Sequence, residues 1–402
     1  MRALILLLVV PVMFAADPVK LPEPLHSLAD LAAAAPPEFA ADALLRIVES
    51  GRVADRNARR ALVEQAFQAA AAAKFPVRMQ AIRVAVTDSE AGSLKQAYAL
   101  GLDILSLQSR AVRDMLPLDR ALARDLFAQI ATPALGPLTC DDALVYEPDE
   151  YYQALSAVVN GAFTAKEKAK DEQLHLLIDV LGQATSPLDL APLASVVESA
   201  GVTAAQRQLL WARFNGLVAA MQPDGRSFEA TPEKYRPKGH ACETAPKLER
   251  YWQSAAAKQL LEAGKKLRYG TGGRTLSDAD RATPEWQQQL ADYLNLIADW
   301  TADQEPSDAI YYHEKCLVYI SLLDVVPAGS LREQILADFA DFVSNSGLYQ
   351  KSPAEWFVGP HMLLDRSQND PALHAKVLDA YQRSGNPVLV LAVALETTFS
   401  HT

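Results

Sequence analysis

The chain has 402 residues, of which 50% are hydrophobic, 22% charged and 7% aromatic, a balance that excludes a disordered chain, a collagen-like repeat and a disulfide-dense mini-protein. The formal charge of -11 excludes a dominant nucleic-acid partner, because no net positive field would hold phosphates. Length alone allows one extended array or two domains.

Residues 1–16 read as an export signal. Arg2 supplies a basic start, Ala3 to Val10 an apolar run, and Ala15-Ala16 a small-residue cleavage site before Asp17. The mature protein is expected to be exported, to the periplasm or the extracellular space. Losing Arg2 would take its charge from -11 to -12. The longest apolar run elsewhere, Val388 to Leu395, is too short to span a bilayer and suits a buried helix.

Nearly every periodic segment beyond the signal has the helical period, and almost none alternates with period two. The pattern predicts helices over 24–34, 37–50, 54–73, 76–86, 91–115, 117–130, 148–163, 166–183, 189–200, 203–221, 246–264, 284–302, 306–326, 329–345, 353–365, 371–383 and 387–398. The second shows the signals plainly: Pro36-Pro37 opens it, Gly51 follows it, and Phe39, Leu44, Leu45, Ile47 and Val48 share one side. Val48 to Val53 and Val197 to Val202 are similar stops, each followed by a polar cap, Asp55 or Thr203. Ser384-Gly385-Asn386-Pro387 is a third junction.

Short connections between so many helices predict an all-α fold of antiparallel hairpins, stacked as an α-solenoid or superhelix or closed into an α/α ring. The pattern resembles helical-repeat proteins in general, and that resemblance carries no site residues. Three connections are too long for simple turns: 131–147, 222–245 and 265–282. The Pro-rich second one divides an N-terminal region, 17–221, from a C-terminal region, 246–402.

Three cysteines are present. Cys140 and Cys242 sit in polar, loop-like contexts and are expected to pair in an oxidising compartment, leaving Cys316 buried on a helix.

Four segments bear on chemistry. His313-Glu314 opens like the zinc-binding His-Glu-x-x-His helix, but Leu317 stands where the second imidazole belongs, so no metal is expected. The competing account is a polar turn on a buried helix; His313 beside Glu314 can still exchange protons. Asp141, Asp142, Glu147, Asp149 and Glu150 concentrate five carboxylates, suited to calcium or to glycoside hydrolysis, or else to a solvated loop leading into a helix N-terminus. Lys265, Lys266, Arg268 and Arg274 surround glycines and suit an anionic polymer or headgroup, or else a flexible loop. Trp356-Phe357-Val358-Gly359-Pro360-His361 places aromatics beside a histidine in a broken helix, suited to a pocket or to core packing. No Gly-x-Ser-x-Gly elbow and no dinucleotide fingerprint occurs, and no cofactor is expected.

The expected function is an exported helical-repeat scaffold that binds a macromolecule, an envelope protein or a glycan, without catalysis. The alternative is a carbohydrate-active or other hydrolytic envelope enzyme on an α/α fold, using carboxylates among Asp141, Asp142, Glu147 and Glu314.

Overall fold

The computed structural model describes residues 21–81, 90–132, 144–221, 255–269, 273–301 and 308–399. Residues 1–16, read above as an export signal, the 222–245 connection and both cysteines of the expected bridge lie outside them. No disulfide occurs among the described residues, where Cys316 is a free, buried thiol.

The fold is all-α. Helices begin where a short polar side chain or a proline can serve the first turn. α1 (Leu25–Ala34) and α2 (Pro37–Glu49) are followed by α3 (Arg56–Ala70), whose cap Asp55 accepts from the Ala58 amide at 2.8 Å. The expected helix over 76–86 does not form in its described part. Met79–Ala81 is instead a strand, β1, paired antiparallel with β2 (Leu144–Tyr146) in the register Met79 to Tyr146. The backbone on either side is captured by distant partners: Phe75 O accepts from the Ile104 amide and Arg78 O from the Glu147 amide. These non-local bonds override the local helical pattern.

The long helix expected over 91–115 is two helices, α4 (Glu90–Ala99) and α5 (Ile104–Met115). Gly101 takes φ +66°, open to glycine at little cost, and Asp103 then caps α5 through the Ser106 amide at 2.9 Å. α6 (Arg120–Phe127), capped by Asp119, and α7 (Asp149–Gly161) follow. The helix expected over 166–183 is likewise interrupted, at Asp171 in the left-handed region, giving a single turn α8 (Ala165–Lys168) and α9 (Glu172–Gln183). α10 (Leu190–Ser199) and α11 (Ala204–Ala220), with Thr203 and Gln206 as a capping box, complete the N-terminal half.

The C-terminal half contains α12 (Ala255–Arg268), α13 (Asp278–Arg281), α14 (Pro284–Asp299), α15 (Ala309–Leu323), α16 (Ser330–Ser344), α17 (Leu348–Lys351), α18 (Pro353–Ser367), α19 (Pro371–Ser384) and α20 (Pro387–Phe399). The apolar run from Val388 lies in α20. Among the described residues no helix is long and apolar enough to cross a membrane.

Neighbouring helices pack in sequence order, α1 on α2, α2 on α3, α3 on α5 and α5 on α7; the C-terminal half repeats this with α15 on α16 and α18, and α19 on α20. The two ends then meet. α20 packs on α1, and α4 packs on α15 and α18. Arg52 donates to Thr398 O at 2.8 Å, and Phe39 meets Phe357 edge to face at 5.2 Å. One buried apolar cluster runs from Leu25 to Val393 across both halves.

Proline inside α18 shapes the C-terminal core. Pro360 has no N–H, so the carbonyl four residues earlier, that of Trp356, has no helical donor. The Tyr312 hydroxyl donates to it at 2.6 Å. The Tyr381 hydroxyl donates in turn to Pro360 O at 3.0 Å, and the Trp356 indole to Val343 O at 2.7 Å. Tyr312, Trp356 and Tyr381 thus each have their polar atom satisfied.

Charges between α2 and α5 form a network. Arg110 reaches Asp42 at 2.6 Å and also grips Glu49, while Arg46 holds Asp42 at 2.8 Å. Asp114 lies behind them. Burial first, and then the charge of Glu49, push its carboxyl from the ordinary 3.8 up to about 7. The folded chain therefore keeps a proton there that the unfolded chain releases, so Asp114 lowers stability as pH rises from about 4 to about 7. Asp114→Asn should raise stability at pH 8 by roughly 1–3 kcal/mol relative to its effect at pH 4. Paired urea titrations at the two pH values read this directly, and an equal effect at both contradicts it.

Candidate functional site

The residues singled out by their chemistry fall into separate places. His313 and Glu314 lie in α15, which is covered by α12, α16, α18 and α4. They are 4% and 2% exposed. His313 Nε2 stands 3.6 Å from Glu355 Oε1 on α18. The next residue, Lys315, is buried too. Its ammonium donates to Trp300 O at 2.7 Å and to the Tyr311 hydroxyl at 3.1 Å, and burial lowers its pKa to about 8. The polar run of α15 is thus held inside the helical core. No group of three or more His, Cys, Asp and Glu side chains suited to a metal ion occurs among the described residues.

Asp141 and Asp142, with Cys140, lie outside the described residues. Glu147 pairs with Arg78 at 3.2 Å, and Glu150 bridges Arg78 at 3.6 Å and Arg113 at 2.8 Å. Burial raises the Glu147 carboxyl while Arg78 opposes the rise. The described part of this acidic segment therefore ties the strand pair to α5 and α7.

The basic segment is divided among carboxylates. Lys265 pairs with Glu262 at 2.7 Å, Arg268 with Asp324 at 3.3 Å, and Arg274 forms two bonds to Asp280 at 2.9 and 3.0 Å. Lys266 stands exposed beside them on α12. Tyr269 forms an antiparallel bridge with Thr275.

A groove of about 990 Å³ runs along α1, α3 and α6. Helical geometry builds it. Leu25, Leu28 and Ala32 turn α1 toward the core, which leaves Ala29 and Ala33 on the open side with His26 and Asp30. On α3, Leu62, Val63, Ala66 and Phe67 are buried, so Asn57, Ala61, Gln65 and Gln68 form the outer stripe at intervals of three or four residues. Leu122, Leu126 and Gln129 on and just after α6 form the far wall.

The result is a floor of small and aliphatic groups edged by amides. Each amide offers both donors and acceptors. The charged groups are already tethered: Arg60 holds Glu64 at 2.8 Å and Asp119 at 3.3 Å, and His26 lies 3.1 Å from Asp30. In the sequence these amides do not stand out, because one helix at a time they are an ordinary solvent face. The available signal was their spacing, Asn57, Ala61, Gln65 and Gln68 on one line of α3.

Compared with known proteins, the chain matches no family model, no curated protein and no solved structure.

Proposed function

We propose that this is an exported scaffold of helical hairpins, its last helix packed back on its first, that binds an extended segment of an envelope protein along the α1–α3–α6 groove. The groove itself carries the reading. Its aliphatic floor suits the apolar side chains of a bound segment, and its rim amides suit the exposed N–H and C=O groups of an extended backbone. Helical arrays offer such elongated concave surfaces. Export rests on Arg2, the Ala3 to Val10 run and Ala15-Ala16. The hydrolase alternative draws no support from His313 and Glu314, which are buried, or from Glu147, which is ion-paired.

The test is site-specific photo-crosslinking of the mature protein in envelope extract, with the photoreactive residue at Gln65 or, as a control, at exposed Arg383 on α19. A protein adduct at Gln65, absent at Arg383 and abolished by Ala61→Arg, is expected. Equal adducts at both positions, indifference to Ala61→Arg, or a glycan in place of a polypeptide would overturn the proposal.

A further inference from the structure

A second cavity lies where the two ends of the chain meet, on surfaces distinct from the groove. It has a volume of about 350 Å³, within the range of small-molecule sites. Its walls come from segments far apart in sequence: Phe39 on α2, Leu100 and Leu102 around the α4–α5 turn, Phe357 on α18, and Leu391 and Leu395 on α20. The Phe39 and Phe357 rings, meeting edge to face, provide two aromatic walls.

The polar groups of this cavity are unevenly balanced. Asp42 is neutralised by Arg46 at 2.8 Å and Arg110 at 2.6 Å. Asp365 and Glu396 are matched by imidazoles, His361 at 3.5 Å and His374 at 3.7 Å, which carry charge only when protonated. The lining thus offers two carboxylates in excess of its fixed positive charge. An anion would meet repulsion there, and a cation would gain charge-assisted contacts.

We propose that this cavity binds a small amphipathic cation, with a hydrocarbon or aromatic body lying against the paired Phe39 and Phe357 rings and an ammonium group at Asp365 and Glu396. Such a ligand would touch α2, α18 and α20 together and so link the two halves of the chain. It would raise the melting temperature with concentration, because it binds only the folded arrangement.

The test is isothermal titration calorimetry with decyltrimethylammonium and with decanoate, both below their micelle-forming concentrations. These probes share a chain length and differ in the sign of the head. Saturable binding of one decyltrimethylammonium per chain is expected, at least about ten-fold tighter than decanoate. Asp365→Asn with Glu396→Gln, at partly or fully exposed positions, should erase that preference while leaving the melting temperature of the free protein unchanged. Ala392→Trp, which fills the chamber, should abolish binding of both probes. Equal affinity for the two probes, tighter binding of decanoate, no saturable binding, or a preference that survives the double substitution would overturn the proposal. The double substitution decides the matter even if the tryptophan variant does not fold.

Discussion

Trp356→Ala is expected to cost about 3–5 kcal/mol of stability, the range for removing a fully buried large aromatic. The indole has no exposed surface. Its Nε1 donates to Val343 O at 2.7 Å, tying α18 to α16, and its ring meets Tyr349 at 4.9 Å. Truncation therefore removes burial, leaves a cavity and deletes a buried hydrogen bond in one step. Trp356→Phe keeps much of the volume and should cost less than half as much. Urea denaturation of the three proteins, compared at constant slope, measures both effects. A loss below about 1 kcal/mol for the alanine variant would contradict this placement of the indole.

The second large effect is at Gly359, whose neighbour Pro360 leaves the Trp356 carbonyl without a helical donor. A Cβ at this position would lie 2.5 Å from Cys316 Sγ, 3.2 Å from Cys316 Cβ and 3.3 Å from the Tyr312 hydroxyl oxygen. Glycine is required here for close approach: it lets α15 come near enough for Tyr312 to reach the orphaned carbonyl at 2.6 Å. Gly359→Ala forces the helices apart and weakens that bond, at a cost of about 2–4 kcal/mol. Cys316→Ala removes the nearest obstacle, so the double variant should recover at least about 1 kcal/mol relative to additive losses. Strict additivity in this double-mutant cycle would show that the two residues do not press on each other.

These two expectations show how unevenly the molecule was legible. Helix starts and stops were readable where the signal is local. Pro37, Asp55, Thr203, Thr283, Pro371 and Pro387 all stand at helix beginnings, because a cap or a fixed φ acts within one turn of its own residue. The interruption at Gly101 and Asp103 is equally local, a glycine followed by a cap, but the helical period continues on both sides of it. The strand Met79–Ala81 was not readable, since its partner lies more than sixty residues away. The Trp356–His361 segment divides its two readings between alternate faces: Trp356 and Pro360 join the core, while Phe357 and His361 line a cavity.

For the candidate sites the division is sharper. The sequence by itself determined the helical class, most helix positions and the residue types able to do chemistry, because periodicity and capping act within a few residues. Only the tertiary structure decided which of those groups are usable. It buried His313 and Glu314 within the helical core, spent Glu147 on Arg78, and left Gln65 and Gln68 lining a groove. It also placed Phe39 against Phe357 and left space beside them. A cavity is the volume that distant helices fail to fill when they pack, and no short stretch of sequence records what lies across from it.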